Sequence, residues 1–150
     1  MFTLPQKSQA SPGIIHLDES EDIIERLLRM IFGLPLIPIE SFDVVDALLG
    51  AIEKYDMPGP LSIIRLIVMT PPLVNEPFRL YSVSCRFGWD EERKHASQQT
   101  LTVNLHSREI RPQLESLSTQ ALLNLYDLHF SRREGYLTSI IALMLSNLPM

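Results

Sequence analysis

Apolar residues along the chain recur mainly at intervals of three and four, the spacing of one face of an α-helix. The first such stretch begins after Ser20, whose hydroxyl is suited to cap a helix, and two acidic residues follow where the helix dipole favours negative charge. Gly33 is suited to end it. We therefore predict a helix over residues 20–32, with an apolar face formed by Ile23, Ile24, Leu27, Leu28 and Ile31.

A second helical pattern follows Ser41, another potential N-cap. The prolines of Pro58-Gly59-Pro60 are predicted to end this helix. A shorter helix then runs through residues 61–68, as far as Thr70-Pro71-Pro72. The predicted buried stripe of the longer helix is Val44, Val45, Leu48, Leu49, Ile52 and Tyr55.

Two further helices are predicted in the middle of the chain. Asn75-Glu76-Pro77 is typical of a first helical turn, where proline is tolerated, and the pattern continues to Gly88. Asp90 then reads as the cap of a strongly charged helix.

The last third of the chain has a weaker pattern. Residues 107–118 are interrupted by Pro112, and Ser118 is suited to cap a final helical region. Apolar residues share a face both before and after Gly135: Leu122, Leu125, Tyr126 and His129, then Leu137, Ile140, Ile141, Met144 and Leu145. We predict C-terminal helices that pack on the preceding domain as an extension over residues 107–150.

Only residues 14–17, Ile-Ile-His-Leu, have the β-branched character of a strand. A lone strand leaves backbone groups unpaired, so it needs a neighbour. The fold class is thus mainly α, with at most one or two short strands. Residues 34–40 form a proline-punctuated connector that is unusually apolar for a loop.

Composition narrows the classes of function. The chain has 150 residues, 45% apolar and 21% charged, enough for one domain with a real core. A net charge of −5 argues against a dedicated nucleic-acid binder. The sequence has no apolar run long enough to span a membrane, no secretory signal pattern and only one cysteine. We expect an intracellular protein, in the cytoplasm or nucleus, without a membrane or nucleic-acid partner.

Motifs of catalysis and cofactor binding are missing from the sequence. It contains no G-x-S-x-G, no phosphate-binding glycine loop and no zinc-ligand spacing among Cys85 and the four histidines (His16, His95, His106 and His129). We expect no enzyme, cofactor or metal. The alternative is a small helical enzyme or ligand binder whose site forms only in three dimensions, with Cys85, Tyr81 and His95 as the first candidates. Cys85 is expected to behave as a small, buried and inert hydrophobic side chain.

Three segments together resemble the BTB/POZ domains. Residues 51–57 (AIEKYDM) resemble the "A-x-K-Y-x-M" helix end of that family. Residues 80–89 (LYSVSCRFGW) resemble the "L-x-x-Y-x-I-A-C-R-x-G-W" helix of BTB-like proteins from mushroom-forming fungi, and Glu91-Glu92 with Ala96 and Thr100-Leu101 continues as that group does. The resemblance covers roughly residues 1–130 and rests on the joint order of the motifs.

The resemblance implies a BTB/POZ-like domain over residues 1–106 that lacks the family's front end, namely a strand hairpin and the first helix. The family homodimer is built largely on that first helix. A dimer of this type is therefore not expected here. A truncated product without independent function stays an alternative.

The resemblance also implies a non-catalytic interaction module, either a scaffold or an adaptor to a cullin-type ubiquitin ligase. The family makes that contact through the helix before the connector, the connector itself and a later helix. The corresponding candidates for partner binding are Met30, Phe32, Leu34, Ile37, Ile39, Glu40, Tyr55 and Leu61. The alternative is that these side chains fill the core or cover the gap left by the missing front end.

Overall fold

The computed structural model describes residues 17–146, and within that range it contains helices and no strand. The predicted mainly helical class is confirmed to that extent. The strand predicted at residues 14–17 lies outside the described residues except for Leu17, which is not in a strand. The helices are α1 (Glu21–Phe32), α2 (Phe42–Lys54), α3 (Pro58–Ile67), α4 (Pro77–Phe87), α5 (Asp90–Thr100), α6 (Arg111–Glu115) and α7 (Thr119–Ser146), with a 3-10 turn at Leu73–Asn75.

Local sequence signals place both ends of α1 and the start of α2 correctly. The Ser20 hydroxyl accepts a hydrogen bond from the backbone N–H of Ile23 at 3.5 Å, and that of Ser41 accepts one from Asp43 at 3.1 Å. Gly33 ends α1 with a φ of +62°, a left-handed conformation that side chains with a Cβ disfavour. The predicted caps of α1 and α2 are thus confirmed.

Two predicted boundaries are wrong. The proline-rich segment at Pro58 does not end α2, which stops at Lys54; it begins α3, because proline is compatible with the first helical turn. Asp90 is the first residue of α5 rather than its cap. Trp89 takes the N-cap position, without a side-chain hydrogen bond to the helix.

The core lies where α2 and α4 meet their neighbours. Leu48 and Leu49 of α2 and Leu80 of α4 have no exposed surface, and α4 and α5 pack closely. An ion pair closes one edge of this core, where Arg65 of α3 donates to both carboxylate oxygens of Glu92 at 2.6 and 2.9 Å. The Arg65 guanidinium lowers the pKa of that carboxyl group. Bidentate geometry makes this pair more directional than a simple surface contact.

The C-terminal helix α7 behaves differently along its length. Its first turns bury Ala121 and Leu125 against the rest of the chain, together with Leu114 and Leu117 just before it. From Phe130 to Ser146, every side chain that the structure describes is exposed. Burial along α7 is therefore confined to its first turns among the side chains that the structure describes.

Candidate functional site

The C-terminal end of α1 and the connector after it expose several large apolar side chains. Phe32 is 71% exposed, and Leu34 and Leu36 are about half exposed, at 50% and 44%. Leu28 and Ile31 of α1 are similarly accessible. We call these five residues, Leu28, Ile31, Phe32, Leu34 and Leu36, the connector surface.

Two arginines of α1 hold the connector in place. Nη1 of Arg26 donates to the carbonyl oxygens of Ile37 and Pro38 at 3.2 and 3.0 Å, and Nη1 of Arg29 donates to that of Pro35 at 3.1 Å. The same guanidinium groups pair one helical turn back with Asp22 and Glu25, whose carboxylates orient them. Three carbonyl groups of a segment without secondary structure therefore accept hydrogen bonds from charged donors.

Buried anchors at both ends add to this arrangement. Met30 and Ile39, predicted as partner-binding residues, are each only 7% exposed and belong to the core. Both side chains therefore lie beneath the surface. Their apolar contacts hold α1 and the end of the connector to the rest of the domain. Ile37 is half-buried, whereas Glu40 is exposed.

A shallow groove runs beside the connector. It has a volume of about 300 Å³ and lies between residues 36–40 and the segment from Ile67 to Pro72. Its walls are mostly aliphatic side chains and proline rings, with Glu40 and Thr70 as polar members. The connector thus presents exposed leucines, one of which, Leu36, also lines the groove.

The predicted residues Tyr55 and Leu61 both make contacts within the chain. The hydroxyl of Tyr55 donates to Glu19 at 2.5 Å, and Lys54 donates to Asp18 and Glu19 at 2.9 Å. These contacts hold the pKa of Glu19 down at about 2, mainly through the Tyr55 hydrogen bond and then through Lys54. The Tyr55 phenol is thus part of a polar cluster that ties residues 18–19 to the end of α2. Leu61 is half-buried and packs on the core.

The candidates for a thiol-based site take structural positions. Tyr81 is buried and donates its hydroxyl proton to the carbonyl oxygen of Ala121 at 3.1 Å, which links α4 to α7. Burial raises the pKa of the Cys85 thiol, a shift away from the reactive thiolate. His95 forms a hydrogen bond with Gln99, one turn further along α5, at 3.1 Å.

Sequence reasoning missed the residues that make the connector rigid. Arg26 and Arg29 stand four residues after acidic partners, a spacing that signals only surface pairs within a helix. Their second contacts, to carbonyl groups 6 to 12 residues ahead, depend on the path of the connector. Leu36 was missed because the residues matched to the family do not include it.

The described range, residues 17–146, contains neither a metal-binding cluster nor a membrane-spanning helix. No group of three or more histidine, cysteine, aspartate or glutamate side chains is arranged to hold a metal ion in this range. None of the helices described there combines the length and apolar character required to cross a bilayer. No protein-family model, curated protein or solved structure matches the chain.

Proposed function

We propose that the chain is a non-catalytic protein–protein interaction module that binds its partner through the connector surface. The observation that carries the proposal is that apolar side chains are exposed on a backbone that is itself held in place, which we call bracing. Phe32, Leu34 and Leu36 are open to solvent, while charged donors and buried anchors hold the backbone that bears them.

Bracing matters because binding orders the groups at an interface. An exposed apolar loop that is mobile before binding loses conformational freedom in the complex, which weakens affinity. A connector already held by Arg26 and Arg29 avoids most of that loss. Large apolar side chains on such a segment supply the buried contacts that dominate interfaces, and a neighbouring groove offers space for a partner side chain.

A finer version of the proposal is a BTB/POZ-like scaffold or adaptor that recruits a cullin-type ubiquitin ligase. It is supported by the ordered sequence motifs at residues 51–57 and 80–89 and by the position of the connector between two helices. In this version the partner is the N-terminal region of a cullin, which would pack on Phe32 and Leu34.

The test is a direct binding measurement with a matched control. Phe32→Asp combined with Leu34→Asp puts two charges into the connector surface, whereas Leu66→Asp alters a 73% exposed leucine on α3 outside it. We expect the double variant to reduce capture of the partner from cell extract, and of purified cullin N-terminal domain, by at least tenfold. Leu66→Asp should bind like the unaltered chain.

Helical circular dichroism of both variants should stay unchanged, because all three side chains are exposed. Loss of helicity together with loss of binding would identify core damage and contradict the proposal. Capture of a different protein, with the same dependence on Phe32 and Leu34, would keep the interaction module and remove the cullin version.

A further inference from the structure

A cavity of about 420 Å³ lies between α7 and the segment of residues 101–106 that follows α5. It is remote in sequence from the connector surface. Leu105 is a buried part of its wall, while Phe130 and Leu137 of α7 are more than half exposed. The apolar part of the wall consists of Leu101, Val103, Leu105, Tyr126, Phe130 and Leu137.

The polar part of this wall is basic. Arg132, Arg133, His106 and His129 line the cavity, and no aspartate or glutamate does. The chain as a whole has a net charge of −5, but this cavity is lined by two guanidinium groups and by no carboxylate. Such an arrangement raises the local concentration of anions.

Arg132 and Arg133 differ from most arginines of the chain because they form no ion pair with a described carboxylate. The chain has ten arginines, all within residues 17–146, and seven form an ion pair with a described carboxylate: Arg26, Arg29, Arg65, Arg79, Arg86, Arg93 and Arg111. In the same range, Arg108, Arg132 and Arg133 have no such partner. Two of those three line the cavity.

Uncharged neighbouring groups hold two basic side chains of the wall, Arg132 and His129, in place. Arg132 donates to the hydroxyl of Tyr136 at 3.1 Å and lies 5.0 Å from the centre of its ring. His129 forms a hydrogen bond with Thr100 at 3.2 Å, and burial lowers its pKa. Because arginine stays protonated in proteins, Arg132 and Arg133 supply positive charge to this wall.

We propose that this cavity binds a small anionic amphiphile, a single carboxylate or similar acidic head group on a short acyl or aromatic body. The head group pairs with Arg133 and Arg132, and the body lies against Val103, Leu105 and Phe130. The volume falls in the range of roughly 300–1,000 Å³ typical of small-molecule sites. The site does not depend on the interaction proposed for the connector surface.

The head group and the body can be tested separately by calorimetric titration. Decanoate is the probe and decanol, equal in chain length but uncharged, is its control. We expect decanoate to bind at least tenfold more tightly than decanol, and Arg133→Gln to weaken decanoate binding by about tenfold, which corresponds to about 1.4 kcal/mol. Arg108→Gln is the matched variant, since it removes an unpaired arginine outside the cavity, and it should leave binding unchanged.

Val103→Trp tests the body of the site by filling part of the cavity, and should abolish decanoate binding while helical circular dichroism is preserved. Equal affinity for decanol and decanoate, or equal losses in Arg133→Gln and Arg108→Gln, would overturn the proposal. Binding to vesicles containing phosphatidylserine without binding to free decanoate would also overturn it, in favour of a lipid surface.

Discussion

The connector surface and the distal half of α7 both expose large apolar side chains, but they differ in what holds them. Beside the connector surface, Met30 and Ile39 are buried, and Arg26 and Arg29 donate to the connector's carbonyl groups. Over residues 130–146, no described side chain is buried, so the helix depends there on its own backbone hydrogen bonds.

The difference shows that apolar exposure alone does not identify a binding surface. A short isolated helix is only marginally stable in water, because nucleation is costly and tertiary packing normally supplies most of its stability. We therefore expect the distal half of α7 to unfold locally more readily than the connector does. Four substitution pairs, ordered from the largest expected effect to the smallest, test this contrast.

The largest effect is expected from the two methionines. Met30→Ala removes a side chain that is 7% exposed, and large-to-small changes in a core cost roughly 2–5 kcal/mol of unfolding free energy. Met144→Ala, at a residue that is 67% exposed, should change it by less than about 0.5 kcal/mol. Urea unfolding followed by circular dichroism measures both. Similar losses in the two variants would mean that distal α7 is packed in solution.

The second pair tests the arginine brace. Arg26→Met removes two hydrogen bonds to connector carbonyls and one ion pair, and should cost about 1–3 kcal/mol, because hydrogen bonds from charged donors are the stronger ones. Arg111→Met removes only an exposed pair with Glu115, worth roughly 0.3–0.5 kcal/mol. Faster amide exchange in residues 36–40 should accompany the first change alone. Unchanged exchange there would exclude the brace.

How much of this contrast the sequence predicts depends on the range of the interactions involved. The helix-end signals at Ser20, Ser41 and Gly33 act within a turn, so they could be identified from spacing alone. The apolar connector was recognised as a candidate surface by its composition. Which of its side chains point outward was not predictable, because Met30 and Ile39 face a core contributed by residues far along the chain.

The same limit applies to Arg65 and Glu92, which meet across 27 residues. The sequence predicts that Pro58 ends α2, but proline can also begin a helix. Only the end of the preceding helix, at Lys54, decides between the two. The basic cavity was missed for a related reason. Arg132 and Arg133 look like an ordinary solvated pair until α7 is placed beside residues 101–106.

The third pair compares glycines. Gly33 has a φ of +62°, so Gly33→Ala should destabilise the chain by about 1 kcal/mol. Gly135 lies inside α7 with open space around its Cα, so Gly135→Ala should favour the local helix by about 0.5–1 kcal/mol. Gly50→Ala in α2 is the control, since it also meets open space but in a packed helix.

The two glycine-to-alanine substitutions in helices are distinguished by whether the stabilisation is global or local. Gly50→Ala should raise the global unfolding free energy, whereas Gly135→Ala should mainly slow amide exchange in distal α7. A global gain of equal size from Gly135→Ala would show that the distal helix unfolds together with the rest, and would weaken the contrast.

The smallest effect is expected from the polar cluster around Glu19. Contacts with Tyr55 and Lys54 depress the pKa of this carboxyl group in the folded chain to about 2, from an ordinary value of 4.5. A depressed pKa contributes stability that is complete above pH 4.5 and is lost as the pH falls towards 2. Glu19→Gln should therefore reduce the loss of unfolding free energy that occurs between pH 4.5 and pH 2, which we call the acid limb.

Glu134→Gln provides the control in the distal helix, because Glu134 forms no ion pair within residues 17–146 and lies on the part of α7 that lacks buried side chains. Thermal unfolding between pH 7 and pH 2.5 should leave its acid limb equal to that of the unaltered chain. Equal acid limbs in all three proteins would mean that the Glu19 cluster does not hold residues 18–19 against α2 in solution. The braced part of the molecule would then begin only at the Ser20 cap, and the connector would still be held by Arg26, Arg29 and the buried Met30 and Ile39.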